Sequence, residues 1–230
     1  MFFSHRPERE WPNKQFVRHD VAKHRRVAEA FYEHSLRAAR DSGFPVLEMT
    51  DRRQRGTGFG PRFANAVADA FAQGYDRVIA VGSDCPRLHE VDWAGVEAQL
   101  ADGAPVLGPT PDRDGTYLIG LRREHFDRAS FEALPWTTPA LFSALAQHLE
   151  RQSGRAPVLL TPRDDVNGHC DLLALVRRRS GRSIAFLRQI QKILGRHRSV
   201  RTERSAQTQH RGLSRRSRAP PAREETLVTG

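Results

Sequence analysis

Cysteine is scarce in this chain: 230 residues contain two, Cys85 and Cys170, and two thiols cannot build the framework that staples a small secreted fold. Nor do they make a zinc site, because Cys85, His169 and Cys170 lack further ligands at a recognisable spacing. Cys85 likewise has no base at a spacing that would make it a nucleophile. A disulfide between the two cysteines stays open at this level. Long apolar runs are missing too. No stretch approaches the length of a membrane span, and none has the layout of a signal peptide. A cytoplasmic protein in a reducing compartment is the resulting expectation. No internal repeat is visible.

Charge is plentiful but uneven. The formal net charge of +10 suggests nucleic acid at first sight, yet residues 177–230 hold 15 Lys/Arg against 3 Asp/Glu, while residues 1–176 hold 22 against 24. The basic excess belongs to the C-terminal stretch, whose RRRSGRS, HRSVRTERS and RGLSRRSRAPPAREE segments are rich in Arg, Ser and Pro. They are too poor in large apolar side chains to offset the entropy of ordering. The expected organisation is one domain over 1–176 and a basic, largely disordered tail over 177–230. Such a tail has the charge to contact an anionic surface or a partner; no specific nucleic acid is expected. One piece differs. SIAFLRQIQKIL, residues 183–194, sets Ile184, Leu187, Ile190, Ile193 and Leu194 at helical spacing. That helix either caps the domain or lies on an anionic membrane or nucleic-acid surface, and docking on its own domain is the simpler reading.

The body alternates strand and helix. MFFS reads as the end of a first strand. Residues 21–40 place Val27, Phe31, Leu36 and Ala39 on overlapping apolar faces and stop at Gly43. FPVLEM (44–49) reads as a strand. A helix carrying Phe63, Val67, Ala70 and Phe71 follows, closed by Gly74. RVIAVGSD supplies the next strand, 90–101 a helix, and PVLG and TYLIGL two more strands. Thr137 is the expected N-cap of a helix with Pro139 in its first turn, and PVLL is the last strand. Strands separated by helices predict parallel pairing with right-handed crossovers in a layered α/β fold.

In such sheets ligands bind outside the carboxyl ends of the strands. VIAVGSDCP (78–86) is an apolar run that stops at glycine and is followed at once by an acid, so Asp84 sits just past a strand end. It is either a site residue or a cap of the turn that Pro86 fixes. RGTGFGPRF offers a second candidate region. Gly56, Gly58 and Gly60 allow close backbone approach to a nucleotide, and Arg62, near a helix start, can receive phosphate oxygens. A plain flexible loop with a solvated arginine is the alternative. Trp136, beside Thr137 and Thr138, either stacks on a substrate or anchors the core, and packing is the commoner role for a tryptophan.

Taken in order, GTGFGPR (56–62), VGSDCPRL (81–88), VLGPTPDRDGTYLIGL (106–121), LPWTTP (134–139) and RDDVNGHCDL (163–172) resemble the GT-A-type nucleotide-diphospho-sugar transferase relatives linked to arsenosugar biosynthesis as glycosyltransferases. These are related in turn to phospholactate guanylyltransferases. The resemblance covers residues 55–175 well and the N-terminal part weakly. It implies a three-layer αβα Rossmann-like GT-A fold with a mostly parallel sheet, and a transferase taking a nucleotide sugar donor and a small-molecule acceptor. It also implies Mg²⁺ or Mn²⁺ to neutralise the donor diphosphate.

Carried over residue by residue, the resemblance makes Asp84 the first metal ligand. Asp165 and Asn167 stand where relatives read two acids, and an amide oxygen there binds a hard cation without adding charge. Relatives read Asp-Gly-Gly before the YLIG strand; this chain has DRDGT, one residue longer, so Asp112 and Asp114 are equal candidates for the catalytic carboxylate. The early segment lacks the glycine that precedes the family's nucleotide-binding Lys/Arg pair, leaving Lys14, Arg6 and Arg18 as candidates for that role. Two alternatives accompany the glycosyltransferase reading: a nucleotidylyltransferase acting on a nucleoside triphosphate, and a catalytically silent nucleotide-binding or scaffold protein.

Overall fold

The structure, a computed structural model, describes residues 1–10, 14–177 and 185–195. The basic segment beyond residue 195 lies outside these residues. Six strands form one sheet: β1 Phe2–Phe3, β2 Glu48–Met49, β3 Arg77–Val81, β4 Val106–Pro109, β5 Thr116–Arg122 and β6 Val158–Leu159, in the order β2-β1-β3-β5-β4-β6. β1 pairs in parallel with β2 and β3, and β4 with β6, whereas β5 is antiparallel to both β3 and β4. Five strands therefore run one way and one runs back, giving the mostly parallel sheet that the motif order implied. The expectation of parallel pairing throughout fails at β5. Residues 110–115, between β4 and β5, are too few for a crossover helix, so the chain turns back as a hairpin. FPVLEM is also shorter as a strand than its apolar pattern suggested, with only Glu48 and Met49 in the sheet.

Helices cover both faces. α1 (Val21–Arg40) starts at Asp20, whose carboxylate accepts from Lys23 N, a standard N-cap. α3 (Trp93–Ala101) is capped the same way by Asp92. These two helices pack on one face, where Leu36, Ala39, Val96 and Leu100 meet Phe2, Val81, Val106 and Leu118. α2 (Phe59–Ala72), α4 (Arg128–Glu132) and α5 (Leu141–Ser153) cover the other, bringing Phe63, Val67, Phe131 and Leu145 against Val78, Ala80, Leu107 and Ile119. Successive residues of β3 thus feed opposite cores, as the two-residue pleat requires. The result is three layers.

α6 (His169–Arg177) and α7 (Ala185–Leu194) extend the molecule beside α1. Phe186, Ile190 and Ile193 of α7 are buried against Phe16, Val27 and Phe31 in a third apolar cluster, and Phe186 meets Phe31 edge-on, with centroids 4.9 Å apart. No helix among the described residues is long and apolar enough to cross a membrane.

The helix after LPWTTP begins later than expected. α5 starts at Leu141 behind Ala140, so Thr137 does not cap it and Pro139 precedes it. Thr137 instead holds φ at 62°, uncommon for a β-branched residue, in a turn where its hydroxyl donates to Trp136 O at 2.6 Å.

Candidate functional site

The carboxyl ends of β1 and β3, the start of β5 and the segment 163–167 converge on one edge of the sheet. β3 delivers Ser83 and Asp84, and the chain leaving β1 delivers Ser4 and His5. The hydroxyl oxygens of Ser4 and Ser83 are 3.0 Å apart, and Ser83 donates to Asp84 Oδ1 at 2.8 Å. Asp84 O accepts from Val166 N at 3.0 Å, which ties the 163–167 segment to the strand end. Arg163 anchors the same segment from behind: almost wholly buried, it donates to Glu90 Oε2 at 2.8 Å and Glu90 O at 2.9 Å. Hydrogen bonds from Arg87 and Arg163 hold the Glu90 carboxyl down to about 2.

A cleft of about 530 Å³ opens there, walled by Asp84, Asp114, Asp165 and Asn167 on the polar side and by Phe59 and Trp136 on the apolar side. A second, acidic cleft of about 510 Å³ shares Asp114, Asp165 and Asn167 and adds Asp112, Asp164 and Asp171. Asp114 therefore faces both spaces and Asp112 only the outer one. Arg113 between them has φ of 55°, so the longer DRDGT turn is accommodated by a left-handed residue. Thr110 Oγ1 donates to Asp114 Oδ1 at 2.7 Å and steadies the turn.

Lys14 reaches into this site. Its ammonium contacts Asp84 Oδ1, with the lysine side chain 12% and the aspartate side chain 26% exposed. Burial alone would lower the ammonium's pKa, but Asp84 and Glu10 outweigh it and the net shift is upward. Glu10 is 7% exposed, and burial pushes its carboxyl up to about 7. Its Oε2 has no hydrogen-bond partner. Asp165 is half-buried, and burial and the neighbouring Asp84 hold its carboxyl well above the usual carboxylate range. Asn167 Nδ2 donates to Asp165 Oδ2 at 2.8 Å.

The remaining candidates lie elsewhere. Arg62 does not wall either cleft. Its guanidinium donates to Gly58 O at 2.9 Å and Gln54 Oε1 at 3.3 Å and lies 3.1 Å from His5 Nε2. Burial, then Arg62, lowers the pKa of His5. Gly56 and Gly58 have φ of 118° and 86°, and Gly58 begins α2 with no side-chain cap. Gly60 meets protein rather than open space: a Cβ there would come within 2.6 Å of Glu132 O and of Trp136 Cδ1. Trp136 is itself a packing residue, 8% exposed, with Nε1 donating to Phe131 O at 2.9 Å. Arg6 is engaged by a bidentate pair with Asp51 at 2.9 and 3.0 Å, while Arg18 is exposed. Cys85 is buried, and burial pushes its thiol up to about 12, far from a nucleophile.

Sequence reasoning missed Glu10, Ser83 and Arg163. Arg163 stood inside the quoted RDDVN block, but only tertiary packing pairs it with Glu90, 73 residues away. Glu10 lies in the segment with the weakest motif.

Hard oxygen donors make up the polar wall, and Mg²⁺ sites commonly use one or two carboxylates with substrate phosphates completing the shell. Asp84, Asp165 and Asn167 bring two carboxylates and one amide to the same cleft, a donor set of the hard-oxygen type. No grouping of three or more His, Cys, Asp or Glu with ligand geometry occurs among the described residues, so protein atoms alone do not form a closed cage.

The architecture is a three-layer α/β fold of the GT-A-like kind. The chain belongs to the DUF2064 family, described as uncharacterised proteins conserved in bacteria, whose profile matches residues 17–138. That span includes Asp84, Asp112 and Asp114 and excludes Lys14, Asp165 and Asn167. Among solved structures, the chain is similar to a candidate nucleotide-diphospho-sugar transferase from Desulfovibrio desulfuricans G20, with a TM-score of 0.58 and 22% identity over 83% of this chain and 92% of that one. No curated protein matches the chain.

Proposed function

We propose that this chain is a transferase that uses a nucleotide-activated sugar. One observation carries the reading: Asp84, Asp114, Asp165 and Asn167, from three separate stretches of sequence, wall a single cleft outside the carboxyl ends of the strands, where open α/β sheets bind their ligands. Asp84, Asp165 and Asn167 would hold Mg²⁺ or Mn²⁺, and the ion would supply positive charge against the donor diphosphate. Lys14 adds a further cation on the same side. Asp114, which lines both clefts, would accept a proton from an acceptor hydroxyl; Asp112, which lines the acidic cleft alone, is its alternative. The Gly56–Gly58 loop and the uncapped start of α2 offer backbone N–H groups to the nucleotide.

The test is a thermal-shift series with UDP-, GDP-, ADP- and dTDP-sugars and with nucleoside triphosphates, each with and without Mn²⁺. At least one nucleotide sugar should raise Tm in the presence of Mn²⁺, and Asp84→Ala should remove the response. A response to triphosphates alone, with pyrophosphate released, favours a nucleotidylyltransferase. A second reading, a silent nucleotide-binding protein, is favoured by Asn167 at an acidic position of the family pattern; nucleotide binding without release of sugar or pyrophosphate would support it.

A further inference from the structure

Asp84 is already engaged by a cation of the chain itself. The Lys14 ammonium sits on Asp84 Oδ1, largely out of water, and the same oxygen accepts from Ser83. The lysine is aimed there by its backbone, since Lys14 N donates to Glu10 O at 2.9 Å. Phe16 lies on the other side of the ammonium, its ring centroid 5.9 Å away. An isolated buried ammonium is costly unless paired, so Lys14 has strong reason to stay on its carboxylate. One monovalent charge nevertheless faces three acids: Glu10 and Asp165 both interact with Lys14 and Asp84. The buried Glu10 Oε2, without a hydrogen-bond partner, marks the cluster as incompletely satisfied. A divalent ion cannot share the Asp84 oxygen with an ammonium at contact distance, because like charges so close repel.

We propose that Lys14 is a tethered occupant of the cation position at Asp84, and that it must leave Asp84 before a divalent ion can bind, which frees its ammonium for the phosphates that accompany the ion. The proposal rests on the metal-dependent reading of the site given above. Its consequence is that nucleotide and metal bind together: the diphosphate offers the displaced lysine a new anion, so neither ligand alone removes it at low cost. Ions without phosphate meet an occupied site.

The direct test titrates Mn²⁺ alone into the full chain, following free Mn²⁺ by electron paramagnetic resonance. Wild type is compared with Lys14→Met, Lys14→Arg, Asp84→Asn and the Lys14→Met/Asp84→Asn pair. If Lys14 holds the position nine-tenths of the time or more, Lys14→Met should bind Mn²⁺ at least about tenfold tighter than wild type, since an ion that waits for a vacant site loses affinity by the vacant fraction. Lys14→Arg should stay near wild type, and Asp84→Asn should cancel the gain. Equal affinities for wild type and Lys14→Met, both weakened by Asp84→Asn, would overturn the exchange while leaving the metal-dependent transferase reading intact. No Asp84-sensitive Mn²⁺ binding in any variant, with or without UDP and GDP, would overturn both.

Lys14→Met leaves buried acids unpaired and is at risk of unfolding, so wild type is also measured. Lysines are reductively methylated with ¹³C, and the Lys14 signal is identified by its loss in Lys14→Arg. Addition of Mg²⁺ with UDP or GDP should shift that signal, as the ammonium leaves Asp84 for phosphate. An unmoved signal at every Mg²⁺ concentration would overturn the proposal.

Discussion

At the residue scale, the cleft gathers acids from separate stretches: Asp84 just past β3, Asp114 before β5, and Asp165. Asn167 stands where the resembling family carries an acid, and it now bonds to Asp165. If both belong to one metal shell, Asn167→Asp should tighten Mn²⁺ binding in the presence of nucleotide, because a charged oxygen replaces a neutral one, and release of sugar from the donor should rise with it. Unchanged affinity, read by calorimetry, would place residue 167 outside the shell. Glu10 gives a pH prediction. Its carboxyl titrates at about 7 in the fold against 4.5 normally. Between those values the folded state keeps a proton that the unfolded chain has released, so stability falls as pH rises through this window. The loss is on the order of 3 kcal/mol once pH exceeds 7. Glu10→Gln should flatten that slope, giving a variant that gains on wild type at pH 8 and not at pH 4. Urea unfolding at several pH values measures it.

At the scale of elements, the Gly-rich stretch divides into two jobs. Gly56 and Gly58 take backbone angles that L-residues avoid, and Gly58 leaves the first turn of α2 without a side-chain cap. Gly60 lets the first turn of α2 close on Trp136 and the end of α4. A methyl at residue 60 would collide with the Glu132 carbonyl and the indole, so Gly60→Ala should cost about 1–3 kcal/mol through forced movement of a packed wall. A denaturation midpoint equal to that of wild type would show that α2 and α4 have more slack than this. The indole walls the cleft in its own right, so Gly60→Ala should also weaken nucleotide-sugar binding.

At the scale of the whole molecule, α7 belongs to the packed body. Its charge pattern links it to the basic C-terminal segment, yet Phe186, Ile190 and Ile193 complete an apolar cluster with α1. Phe186→Ala should therefore cost about 3–5 kcal/mol, the usual loss for a buried aromatic ring. Truncation after Arg177 should cost more, since Val27, Phe31 and Leu172 lose their cover. Chemical denaturation of the two variants beside the full chain measures both. A truncated chain as stable as wild type would mean that α7 docks without contributing to the core. The site itself lies across the molecule's motif order, drawing on Glu10, Lys14, Ser83, Asp84, Asp114 and the 163–167 segment.

Local pattern was enough for much of this. Alternating strands and helices and an acid just past a buried strand are written in spacing and residue type, because they depend on interactions within a few positions of each other. Motif order pointed to the layered fold for the same reason. Tertiary structure decided the rest. The reversal of β5 follows from a six-residue connection whose consequence appears only when the strand finds its neighbours. α5 starts late, at Leu141, after a turn in which Thr137 takes a left-handed φ and Trp136 packs against Gly60. Resemblance placed Asp84, Asp165 and Lys14 in the site, but the direct Lys14–Asp84 pair and the buried Glu10 beside it were invisible, because the partners are far apart along the chain. Their energetics come from shared burial, a property of the folded surroundings that no single stretch of sequence carries.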